Sequence, residues 1–315
     1  MTIYRIEELV FGVEDRAACA RFHTDAGLDL VTLDGEGPDG EGDADVFTTP
    51  EGQRIILKSI GDPSLPPPAE AGSGLREIVW GVGDRAGLDR IAGDLARDRA
   101  VQVDGEGVVH SRDETGFGIA FRLRRERQVA TEPLPRVNSV RQVQRWNDPP
   151  LLPGTRPRPV RIVHLALNIP KAGHREAIDF YLRRLRFRAT DDIADTGTFM
   201  QCEGDVEHHN FFLCHRPDSA GINHFALEMR HFDQLIERGN HMVSRGWRES
   251  RVLGRHLLGS NLYRFFASPA GGRLEFACDM DRMDKDFPTR RWDRNPGHHI
   301  WTLKGSGIGA AGRNG

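Results

Sequence analysis

The sequence predicts an α+β fold of four βαβββ modules paired into two domains. Two observations lead there. A period-two phrase with one metal-capable side chain near its middle recurs around Glu8, Glu77, His164 and His224. After each recurrence comes a stretch with helical spacing and then short alternating segments, which is the order strand, helix, two or three strands. Repetition of one element order along a chain marks a repeated supersecondary unit.

The first module opens with the strand Tyr4-Arg5-Ile6-Glu7-Glu8-Leu9-Val10-Phe11. A helix from Arg16 to Ala26 follows and stops at Gly27, and strands lie around Asp45–Thr49 and Arg54–Lys58. The second begins at Leu75–Val82, continues in a helix over Arg85–Asp98 carrying Leu88, Ile91 and Leu95, and closes at Gly116–Leu123. Between Glu126 and Pro159 the composition shifts to Pro, Arg, Asn and Gln, with Pro149-Pro150 and Pro153-Gly154, so little regular structure is expected there. The third module opens on Arg161–Leu167, has its helix over Gly173–Arg184, and returns through Phe199–Cys202 and His209–Leu213. The fourth opens on Gly221–Leu227, has its helix over Phe232–Arg245, and returns through Asn261–Ala267 and Arg273–Cys278. The expected division is an N-terminal domain over 1–125, a connector over 126–159, a C-terminal domain over 160–281, and an extension with a mobile Gly-rich tail over 282–315.

Composition excludes several classes. In 315 residues, 38% are hydrophobic and 28% charged, the balance of a soluble globular protein. A net charge of −3 with only short basic runs, such as Arg122–Arg127, gives no footing for nucleic acid. No apolar stretch is long enough to span a bilayer, and Met1-Thr2-Ile3-Tyr4-Arg5 does not begin a signal peptide. Cys19, Cys202, Cys214 and Cys278 lack CxxC spacing and read as small core residues. A cytoplasmic homo-oligomer is the expected state.

The modules differ at the metal-capable position. The N-terminal pair carries Glu8 and Glu77; the C-terminal pair carries His164 and His224, and the last strand adds Glu275 in Arg273-Leu274-Glu275-Phe276. Two neutral imidazoles and one carboxylate form a facial triad suited to Fe(II), with open positions for substrate and O2. Only the C-terminal pair can build such a site.

With these residues on those strands, the chain resembles a type I extradiol ring-cleavage dioxygenase of the vicinal oxygen chelate superfamily. Four segments carry the resemblance: Glu207-His208-His209-Asn210, Ile222-Asn223-His224-Phe225, Leu253-Gly254-Arg255-His256, and Ser268 through Phe276. It implies Fe(II), with Mn(II) the less common alternative, on His164, His224 and Glu275. It also implies a catecholic substrate and O2, both of whose atoms enter the ring product. His209 matches a histidine facing the O2 position and His256 one that hydrogen-bonds a substrate oxygen. Surface placement of His209, flanked by His208 and His215, is the plainer reading, and a solvated loop that of His256. Asp279 and Asp281 are either partners of the site or a charged strand exit; His298 and His299 belong either to a lid or to a disordered tail.

One position departs from the family pattern. In Phe265-Phe266-Ala267-Ser268, Phe266 stands where the family carries a tyrosine, and a phenyl ring offers no phenolic hydrogen bond. Tyr263, three residues earlier, faces the other way on a strand. An apolar Phe266 in the substrate pocket favours substituted or polycyclic catechols. Two other classes remain open: a metal-free small-molecule binding protein, and a metalloenzyme of the same superfamily that does not use O2.

Overall fold

The computed structural model describes residues 2–31, 44–125, 136–152, 154–215 and 217–303. The first module is β1 (Ile3–Val13), α1 (Arg16–Asp25), β2 (Asp29–Val31), β3 (Ala44–Thr48) and β4 (Arg54–Ser59). The second is β5 (Gly74–Val82), α2 (Arg85–Leu95), β6 (Gln102–Val103), β7 (Val109–Arg112) and β8 (Gly118–Leu123). Both helices start where an aspartate caps them: Asp15 accepts from the Ala18 amide and Asp84 from the Gly87 amide. The third module is β9 (Arg161–Asn168), α3 (His174–Asp179), β10 (Arg188–Ile193), β11 (Gly197–Gln201) and β12 (Phe211–Cys214). The fourth is β13 (Gly221–Glu228), α4 (Phe232–Ser244), β14 (Glu249–His256), β15 (Leu262–Ala267) and β16 (Arg273–Cys278). The expected βαβββ order therefore appears in full.

Pairing is the same in both halves. The first strands of paired modules lie antiparallel, β1 beside β5 and β9 beside β13, and each has the last strand of its own module parallel on its other side. This gives an eight-stranded and a ten-stranded sheet. Two strands of the second sheet, β17 (Arg290–Trp292) and β18 (His299–Thr302), come from the extension. β17 adds parallel to β10 at one edge, and β18 adds antiparallel to β14 at the other. The extension thus runs from edge to edge of the C-terminal sheet. At three and four residues, these strands are too short for their alternation to stand out in the sequence. Residues 304–315, where a mobile tail was expected, lie outside the described residues, as does 126–135 of the connector; in 136–152 the only pairing is an isolated bridge between Ser139 and Gln142.

One apolar core joins the halves. Phe11 meets Phe225 at 5.8 Å, and Trp80 meets Phe187 and Phe211 edge-on at 5.0 and 5.5 Å. A buried amide ties the strands polar-to-polar: Gln53 donates to the carbonyls of Ile6 (2.7 Å) and Ile162 (2.9 Å) and accepts from the Ile162 amide (2.7 Å). The third helix differs from the expected Gly173–Arg184 span: from Phe180 to Arg184 it widens to a π-turn, with the Leu185 amide bonded to the Phe180 carbonyl. In this turn Tyr181 is fully buried and donates to Asp113 Oδ2 of the other half at 2.9 Å.

Burial pushes the Asp113 carboxyl up to about 6. An unfolded aspartate titrates near 3.9, so the native state holds this proton more tightly. The resulting penalty is absent at low pH, grows through the interval between those two values, and is fully present above about pH 6. At pH 8, Asp113→Asn is expected to raise the thermal midpoint over wild type, by up to about 3 kcal/mol of stability. The gain should vanish near pH 4, which paired melts at the two pH values will show.

Candidate metal centre

Three adjacent central strands build the site. On β13, Ala226 lies opposite His164 of β9 on one side and opposite Glu275 of β16 on the other, so all three share a face. His224, two residues before Ala226, points the same way. The small Ala226 leaves the space between them open. His164 Nε2 is 2.9 Å from Glu275 Oε2 and 3.2 Å from His224 Nε2, and His224 Nε2 is 3.3 Å from Glu275 Oε2. Adjacent corners of an octahedron with bonds of about 2.1 Å are about 3.0 Å apart, so the triangle fits one hexacoordinate divalent ion. The three form the candidate metal cluster found among the described residues.

The surroundings prepare these donors. His224 Nδ1 donates to Asn223 Oδ1 at 2.8 Å, which leaves Nε2 as the bare nitrogen aimed at the centre. Asn223 Oδ1 is held in turn by Arg273. Asn261, wholly buried, donates to Glu275 Oε1 at 2.9 Å. Burial alone would raise the Glu275 carboxyl, but His164 and His224 against it hold it well below the usual range. Burial lowers His224 to about 3, so it stays neutral and able to ligate. In the N-terminal half, the equivalent carboxylates are taken up in ion pairs: Glu8 with Arg122 (2.8 Å) and Arg125 (2.5 Å), Glu77 with His110 (2.9 Å).

A cavity open to solvent at its mouth lies over the donors. His209 and His256 both line it. His209 is not on the surface: it is buried, its ring 4.4 Å from that of His164, and burial followed by the neighbouring His164 pushes it well below 6.5. His256 stands across the cavity, Nε2 3.7 Å from Glu275 Oε1, its Nδ1 donating to the His298 carbonyl at 3.1 Å; burial lowers it to about 4. The extension supplies Asn295, Gly297 and His298 to the lining, and His299 faces the Tyr263 hydroxyl at 2.7 Å. Asp279 and Asp281 do not line the cavity; they pair with Arg255 and Ser260 and serve as a strand exit.

Phe266 is a correction. Its strand partner is Leu274, whereas Phe265 lies opposite Glu275, so Phe265 faces the cavity and Phe266 the core. Phe266 is fully buried, against Phe276 at 5.9 Å. Tyr263 shares the inner face with Phe265, its ring 4.2 Å from His256. Phe266→Tyr would bury a hydroxyl without a partner and is expected to cost about 1–3 kcal/mol. Phe265→Tyr, pointing into the cavity, is expected to leave the thermal midpoint nearly unchanged. Denaturant unfolding of both variants checks the assignment.

Two arginines, not singled out by the sequence, also line the cavity. Arg251 and Arg273 stand over the Phe265 ring at 5.5 and 5.1 Å. Among the described residues Arg251 has no carboxylate partner, and Arg273 bonds only neutral oxygens of Asn223. Burial, and next the like charge of Arg251, lowers Arg273 to about 10.

Known proteins share this fold. The family model of the Glyoxalase/Bleomycin resistance protein/Dioxygenase superfamily matches residues 161–276. Metapyrocatechase 2 of Cupriavidus necator is 28% identical over 123 residues, which are 39% of this chain and 38% of that protein's length. The Mn(II)-bound glyoxalase from Novosphingobium aromaticivorans superposes with a TM-score of 0.68 at 19% identity, covering 94% of this chain and 89% of that one. Homoprotocatechuate 2,3-dioxygenase from Arthrobacter globiformis does so at 0.69 and 20%, covering 93% and 85%. The matched residues 161–276 hold all three donors, and the chain as a whole has the two-domain vicinal oxygen chelate fold.

Proposed function

We propose that this protein is an extradiol ring-cleaving dioxygenase that inserts both atoms of O2 into a substituted catechol. The observation that carries the reading is the triangle of His164, His224 and Glu275 donors, with edges of 2.9–3.3 Å, at the floor of a lined cavity. On this reading the three residues hold Fe(II), with Mn(II) as the alternative. The ion supplies the electronic link between a bound diol and O2. The chain's own residues do the rest. His209 and His256, neutral in the resting site, are placed to hold and move the hydroxyl protons. Phe265, Asn295, Gly297 and His298 line the space that the ring would occupy.

The cavity wall points to the substituent. Among the described residues neither guanidinium forms an ion pair, their like charges repel, and an anionic group on the ring would relieve that. A catechol bearing an acidic side chain therefore fits better than the apolar polycycle suggested by placing Phe266 at the wall. Arg251→Met is expected to raise KM for anionic catechols roughly 10–100-fold, the worth of a hydrogen bond to a charged group. KM for neutral catechols should hold within about twofold. A homo-oligomer fits the exposed apolar connector, where Val140 is 90% and Trp146 77% exposed.

The test is anaerobic Fe(II) reconstitution followed by a panel of neutral and acidic catechols with O2 uptake recorded. Consumption of one O2 with a yellow product supports the reading. A metal-loaded protein that transforms substrate without O2 would instead be a non-oxygenase of the same superfamily.

A further inference from the structure

Behind His209 lies a buried polar chain that neither the metal nor the cavity accounts for. Asp191, on β10 and wholly buried, receives Arg290 Nε at 2.8 Å and Trp292 Nε1 at 2.6 Å on Oδ1. Its Oδ2 receives Arg290 Nη2 at 2.6 Å and lies 2.8 Å from His208 Nε2. His208, also wholly buried, places Nδ1 3.0 Å from Nδ1 of His209. We propose that Asp191 and His208 are positioning residues that hold His209 in one tautomer, with its Nε2 bare toward the cavity.

The assignment follows from donor and acceptor arithmetic. A carboxylate facing an arginine and an indole N–H stays ionised and can only accept. The 2.8 Å contact therefore requires the proton on His208 Nε2. Asp191 and Arg290 already neutralise each other, so nothing demands a second positive charge on a buried ring, and His208 Nδ1 carries a lone pair. The 3.3 Å approach of Arg290 to His208 Nε2 is the longer contact and does not compete. His209 must then donate from Nδ1, which leaves Nε2 as its bare nitrogen. Both donors that Asp191 receives besides His208 lie on β17, so the segment that reaches both sheet edges also fixes the far end of the relay.

The consequence rests on the ring-cleavage reading. His209 can begin only as a proton acceptor: the catechol O–H bond breaks, its electron pair stays on oxygen, and an N–H bond forms at Nε2. The imidazolium so formed can later return the same proton. The tautomer itself does not depend on that reading.

The test is ¹⁵N NMR of histidine-labelled full-length protein loaded with diamagnetic Zn(II), the His209 signals being assigned by loss in His209→Asn. The expected wild-type spectrum has Nδ1 protonated and Nε2 bare. In His208→Leu the Nε2-protonated form should appear, and kcat on the best catechol should fall on the order of 10²-fold with KM within about twofold. His208→Asn, whose Oδ1 reaches the position of Nδ1, should restore both. A wild-type His209 protonated at Nε2 overturns the proposal, and so does a His208→Leu protein with unchanged tautomer and kcat. A wild type that cleaves no catechol sinks the ring-cleavage reading, while the spectrum still decides the tautomer.

Discussion

Glu275→Gln is expected to lose both bound metal and ring cleavage while remaining folded. Glu275 is the carboxylate of the candidate centre, its Oε2 facing the His164 and His224 imidazoles while Oε1 is held by Asn261 at 2.9 Å. An amide of the same shape keeps the packing and removes the charge. Two neutral imidazoles then remain, and two protein donors hold a divalent ion poorly. The loss of affinity should exceed the roughly 10–100-fold that follows removal of an outer-shell partner. Asn261→Ala provides that milder comparison within the same site. Metal content after reconstitution and desalting, with circular dichroism to confirm the fold, measures both. A Glu275→Gln protein with wild-type metal content would remove Glu275 from the ligand set.

His209→Asn is expected to keep metal and substrate affinity and to lose turnover, by about 10²–10⁴-fold, as for a removed acid–base group. The ring sits 4.4 Å from the His164 ring, close enough to serve the reacting atoms, and its Nδ1 is bonded to His208 rather than to any of the three donors. A split between kcat and KM is therefore the signature. Equal metal content in both proteins guards against an indirect effect through His164. Full turnover in His209→Asn would leave the histidine a packing role only.

Much of this was legible in the sequence, for a physical reason. Strand pairs put residues of matched phrases on one face, so phrases repeated around His164 and His224 predicted convergence without any coordinates. The element order was legible because each module repeats it. Phase within a strand was harder. Phe265-Phe266 offers two identical rings on opposite faces, and only the pairing of Phe265 with Glu275 decides which one meets the cavity. The same uncertainty hid Tyr263 on the inner face. His208 carried no signal of its own because its partner Asp191 lies 17 residues away and is clamped from β17, some 100 residues on. Arg251 and Arg273 carried no signal either: an arginine on a strand is usually solvated, and only the tertiary fold turns these two inward.

The most direct measurement of the central claim is product analysis after turnover of an acidic catechol by the Fe(II)-reconstituted protein under ¹⁸O2. The account predicts a single ring-opened product carrying label from both oxygen atoms, apart from any exchange of an aldehyde oxygen with water. An unlabelled product, formed without O2 uptake, would contradict it.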